Sequence, residues 1–118
     1  MAENNTITIK LGDEEIVLKP SMQAMRMISR QYNGLANARS ALVQENFDAV
    51  AFVIRIGSGM KEREARELDE KVYRAGILGG DLLMSLINYV AMLGNRGQPI
   101  QLTDNENEGK REEESYRE

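Results

Sequence analysis

Residues 6–11, Thr-Ile-Thr-Ile-Lys-Leu, alternate apolar and polar side chains so regularly that only an extended chain gathers Ile7, Ile9 and Leu11 on one face. Gly12-Asp13-Glu14 supplies a turn, and residues 15–19 return with Ile16 and Leu18 in alternation, which predicts a hairpin. Pro20 has no amide hydrogen to donate and ends it. Ser21 then stands where a helix needs a cap. Met22, Met25, Ile28 and Tyr32 come after it at helical spacing as the inward side, with Gln23, Arg26 and Arg30 facing out. Asn33-Gly34 is a left-handed stop.

The remainder is punctuated helix. A second helix is expected over about residues 36–45, with Ala38, Ala41 and Leu42 inward. Asn46 or Asp48 can cap a third, whose run DAVAFVIRI holds Arg55 as its only base. Its Val, Ile and Phe would also suit a buried strand, but it lacks the alternation of a half-buried strand, and this favours helix. Gly57-Ser58-Gly59 is expected to break it. Residues 61–75 carry a narrow apolar stripe, Ala65, Leu68, Val72 and Ala75. Glu62/Arg66, Glu67/Lys71 and Glu70/Arg74 pair at i,i+4 around it, the pattern of a surface helix. Gly76 and Gly79-Gly80 interrupt the chain before Asp81, a candidate cap for a last helix that runs to Leu93 and ends at Gly94. The expected fold is mainly α with a small β part (α+β): an N-terminal two-stranded hairpin, about five helices, and a flexible acidic tail. Residues 1–94 form the single domain and 95–118 the tail, whose composition buries too little to fold.

Charge and residue usage narrow the function. The length of 118 residues suits one domain with a modest core. Cysteine is absent, so no disulfide framework and no thiolate chemistry are available, which favours cytosol. The opening MAENNTITIK has no basic segment followed by an apolar run, so no secretory signal is expected, and no stretch approaches the ~20 apolar residues of a membrane helix. The net charge of −4 resides in residues 103–118, with seven acids against three bases. Residues 1–102 balance at twelve of each. Such a neutral body lacks the basic stripe that drives counterion release, so nucleic acid is not an expected partner.

Chemistry is hard to place on this chain. Histidine and tryptophan are absent as well. Adjacent acids such as Asp69-Glu70 point apart on a helix, and Asp13-Glu14-Glu15 are ordinary solvated turn residues; a general acid needs a shaped pocket and a shifted pKa. GSGMK and GILGGD lack both the Walker spacing and the dinucleotide fingerprint. No calcium-loop spacing occurs. No catalytic, cofactor-binding or metal residue is therefore assigned, and the chain is not expected to be an enzyme.

Two features point instead to contact with other chains. Met22, Met25 and Met27 crowd into one helix, where thioethers serve either as core filler or as an adaptable surface. The last helix, DLLMSLINYVAML, has no charge between Asp81 and Arg96. Leu82, Leu83, Leu86, Ile87, Val90 and Leu93 form the face expected to meet the core, which leaves Met84, Ser85, Asn88, Ala91 and Met92 as an uncharged back. A helix with such a back is sandwiched inside the monomer or covered by another chain. These five residues with Met22 are the candidate protein-binding set, and self-association is expected.

In order of features the chain resembles a known group. TITIKLGDEEIVLKPSMQAMRMISRQYNG, then FDAVAFVIRIGSG, then KVYRAGILGGDLLMSLINYVAML is similar to the small tail proteins of siphophage-like particles and gene transfer agents. Members of that group are tail assembly chaperones and have also been labelled tail tube proteins. The resemblance spans about residues 6–94. It implies a non-enzymatic role in the bacterial host cytoplasm during particle assembly: coating the tape measure protein, helping tail tube subunits polymerise around it, and leaving the finished tail. In many such systems a frameshifted longer form accompanies the short one. The alternative from the same resemblance is a structural tube component that stays in the particle, for which two predicted strands are few.

Overall fold

The computed structural model describes residues 5–78 and 81–99. They form two strands, β1 (Ile7–Leu11) and β2 (Glu14–Leu18), and five helices: α1 (Met22–Tyr32), α2 (Leu35–Val43), α3 (Phe47–Ser58), α4 (Glu62–Ala75) and α5 (Leu82–Gly94). The α+β, mostly helical architecture expected from the sequence is the one observed.

β1 and β2 pair antiparallel with Ile9 opposite Ile16 and Ile7 opposite Leu18, so the apolar alternation of both strands falls on one face. The turn is tighter than expected, with Gly12-Asp13 alone between the strands and Gly12 at φ +67, where a side chain would be strained. A lone hairpin is marginal in water. Here Ile9, Leu11, Ile16 and Leu18 are all buried in one cluster with the helices, and β1 packs on α5 and α4 while β2 packs on α3.

The helix boundaries track local chemistry closely. Ser21 caps α1 by accepting a hydrogen bond from the Ala24 amide at 3.0 Å, and Asn33, at φ 60, closes it. Asn46 rather than Asp48 caps α3, through Ala49 N–H at 3.1 Å. Glu64 opens α4 by accepting from the Lys61 amide at 3.0 Å. α3 is the central helix: Ala49, Val50, Ala51, Val53 and Ile54 are buried, which explains a sequence that is apolar almost all round.

Three further expectations differ at this level. Gly57 does not break α3, which continues to Ser58 and closes at Gly59 with φ +69. Gly57 is inside the helix because Tyr89 lies against it: a β-carbon there would meet the Tyr89 ring at 3.0 Å. The Glu67/Lys71 pair is replaced by a longer-range one, Lys71 to Glu14 at 3.1 Å, which ties α4 to the hairpin, while Glu70–Arg74 forms at 2.8 Å and Glu62–Arg66 at 3.9 Å. The chain beyond α5 does not become tail at Asn95. Its amide and that of Gly97 both donate to the Met92 carbonyl, and the Asn5 side chain donates to the Gly97 carbonyl at 3.2 Å, so residues 95–99 close the helix and meet the N-terminal segment. The expected tail beyond them, like Gly79-Gly80, lies outside the described residues.

Candidate protein-binding surfaces

α5 has the length and apolarity to choose among several inward faces, and its one polar aromatic side chain decides which it takes. Tyr89 is wholly buried, and its hydroxyl donates to the Lys19 carbonyl at 2.7 Å. Lys19 in turn donates its amide to the Gly57 carbonyl at 2.9 Å. The end of β2, the last turn of α3 and the middle of α5 are joined at this point. A buried phenol needs such a partner. Burial pushes the Tyr89 hydroxyl up to about 12, since the phenolate would lose its water.

With Tyr89 inward, the buried arc of α5 becomes Leu82, Leu86, Tyr89, Val90, Met92 and Leu93. Two residues expected inward, Leu83 and Ile87, are displaced to its flank, half-buried against the core. Met92 moves the other way and is only 4% exposed. Its place in the candidate binding set is therefore corrected: helical geometry sets it three residues from Tyr89, and each of the two is buried. Of the rest, Met84 (59% exposed) and Asn88 face solvent, while Ser85 and Ala91 are half-buried. The uncharged back is thus real but narrower, running along Met84, Asn88 and Ala91 at i, i+4 and i+7. Ser85 belongs to a different feature, a cleft between β1 and α5 that it shares with Thr8, Lys10, Gly76 and Asp81. Asp81 precedes α5 but its carboxylate makes no capping bond.

Met22 is 68% exposed, away from the inward side on which helical spacing places it. Ile28 holds that side as expected and Ala24 joins it, with Met25 and Tyr32 half-buried. Met22 stands over a cleft of about 340 Å³ lined by Pro20, Met25, Leu93, Gly94 and Arg96, where the start of α1 meets the end of α5. Met22 and the α5 stripe therefore belong to two surfaces and not to one patch. Met27, on another side of α1, lines a second cleft with Met60 and Arg55.

Sequence reasoning passed over several exposed apolar side chains: Val43, Tyr73 and Leu78. Tyr73 could have been found, since it comes directly after the buried position Val72 and so falls off the α4 stripe. Tyr32 packs edge-on against Phe52 at 6.0 Å, and Arg55 lies 5.6 Å above the same Phe52 ring. Burial, then the nearby Asp48 carboxylate, raises the Tyr32 hydroxyl. Among the described residues no three His, Cys, Asp or Glu side chains are placed to hold a metal ion, and no helix is long and apolar enough to cross a membrane.

No family model matches the chain, and no curated protein or solved structure shows detectable similarity to it.

Proposed function

We propose that this chain is a tail assembly chaperone that binds the tape measure protein of its own particle and assists tail tube assembly without performing chemistry. The observation that carries the reading is the stripe of Met84, Asn88 and half-buried Ala91 on a helix free of charge from residue 82 to residue 95. Adaptable apolar helix surface of this kind suits another amphipathic helix laid against it. The resemblance in residues 6–94 supplies the identity of that partner, and the bacterial cytoplasm comes from the same source. Copies of the chain associate through the same stripe when the partner is absent.

Co-expression tests the proposal. The tape measure protein alone should be insoluble, and together with this chain it should become soluble and copurify. Because the α5 stripe carries no charge, the complex should survive both low and high salt, where an ion-driven one would weaken as the Debye length shrinks from ~10 Å at 0.1 M toward ~3 Å at 1 M. A tape measure protein that stays insoluble, or this chain found as a stoichiometric part of mature tails, would replace the chaperone by the structural tube component.

A further inference from the structure

The balance of charge in residues 1–102 is a balance of number and not of place. Residues 19–44 contain Lys19, Arg26, Arg30 and Arg39 and no acid, whereas eight of the twelve acids fall in the hairpin and α4. α1 and α2, which hold three of those bases, pack on each other and on the uncharged α5. The ion pairs among the described residues are all made by α4, with itself or with Glu14, and none involves these four bases. The surfaces that α1 and α2 present therefore carry bases and no acid of their own.

That basic side also has a direction. Met22, Arg26 and Arg30 succeed one another at i, i+4 and i+8 along one exposed stripe of α1, with the Met22 cleft at its start. Gly97 lines the same cleft and packs on Pro20, so near that a β-carbon on it would lie 3.5 Å from the proline ring. The chain thus passes the cleft two residues before Pro99. Directly after Pro99 the sequence reads Ile100-Gln101-Leu102, apolar at alternate positions, and then the segment with seven acids and three bases.

We propose that residues 100–118 dock back onto α1 of their own chain, with Ile100 and Leu102 at the Met22 cleft and the acids beyond Asp104 along Arg26 and Arg30. The reach is ample: ten extended residues span up to ~33 Å, and the eight helical steps from Met22 to Arg30 rise about 12 Å. Attachment favours the chain's own segment over a second copy, because a short tether holds it at an effective concentration in the millimolar range. The docked segment covers the most exposed methionine of α1 and neutralises the basic side, and it is displaced by salt. Docking is independent of the chaperone reading, and its test uses the chain alone.

The chain has no cysteine, so Ser115→Cys gives a single nitroxide site in the full-length protein. Paramagnetic broadening of ¹⁵N amides should then concentrate on residues 22–30 at low salt and fall severalfold in about 0.5 M NaCl. It should also fall in Arg26→Glu/Arg30→Glu, whose side chains are exposed and whose amide spectrum reports that the fold is intact. Broadening that is absent, equal over α4 and α1, or unchanged by salt and by the double variant overturns docking. A mixture of ¹⁵N-labelled unmodified chain with spin-labelled unlabelled chain should show little broadening; equal broadening there means that a second copy's segment is the occupant, and overturns the proposal as stated.

Discussion

α4 and α5 are of nearly equal length, 14 and 13 residues, and are built on opposite plans. α4 buries only Leu68 and Val72, and charged side chains occupy most of its other positions. α5 buries six side chains and has no charge at all. The contrast locates the source of each helix's orientation. On α4, rotation about the axis would drive an ion into the core at a cost of several kcal/mol, so the charges restrict the helix to the one roll that buries Leu68 and Val72. On α5 no rotation is forbidden by charge, and the outcome turns on smaller effects: the fit of Tyr89 against Gly57, its hydrogen bond to Lys19, and the volumes of Met92 and Leu83.

The contrast would vanish most abruptly if α5 were given a charge on its buried arc. Met92→Glu is expected to destabilise the fold by about 4 kcal/mol or more, since the carboxylate finds no partner and the site loses a well-packed side chain. Urea denaturation should show a midpoint collapsed toward zero. A variant as stable as the parent would mean that Met92 faces solvent after all, and that the uncharged back has the full width expected from the sequence.

Tyr89 gives an intermediate effect with a defined pH signature. Its hydroxyl keeps its proton to about 12 in the folded chain, whereas an unfolded tyrosine releases it near 10. The folded state therefore binds more protons in that interval. The stabilisation is fully present below pH 10 and is lost as pH rises through 10 toward 12, by an amount of the order of 2 kcal/mol. Tyr89→Phe should cost about 1 kcal/mol at neutral pH through the unpaired Lys19 carbonyl, and should flatten the alkaline loss. Some slope will persist from Tyr32, whose hydroxyl is raised as well. An alkaline profile identical in parent and variant would remove Tyr89 from its role as the group that orients α5.

The smallest effect on folding belongs to the solvent side of the same helix. Met84→Glu should change the unfolding free energy by less than about 0.5 kcal/mol, as expected for an exposed site. By light scattering at high concentration, the same substitution should reduce self-association of the chain. A parent that is monomeric throughout would remove self-association from the α5 stripe, and a large loss of stability would place Met84 in the core.

Much of the fold was legible because its signals are local. The period-two alternation of Ile7, Ile9 and Leu11 fits no helix, Ser21 and Asn46 are cap residues at cap positions, and Asn33-Gly34 tolerates the left-handed turn that ends α1. The candidate site was legible only in part. That α5 carries an uncharged back comes from composition, and Met84 and Asn88 do face out. Met92 was misplaced because an apolar helix has no periodicity sharp enough to rank one face over the next.

Element order, strand faces, the caps of α1 and α3, the α4 stripe and the segregation of charge are written in the chain itself, because each rests on neighbours within a few positions or on counting. The roll of α5, the survival of α3 through Gly57, the Lys71–Glu14 pair and the meeting of Pro20, Leu93 and Gly97 in one cleft arise only in the folded core. Each of these joins residues distant in sequence, Gly57 with Tyr89 or Pro20 with Gly97, and which of them meet is settled by volumes and hydrogen-bond partners that exist only once the core has closed.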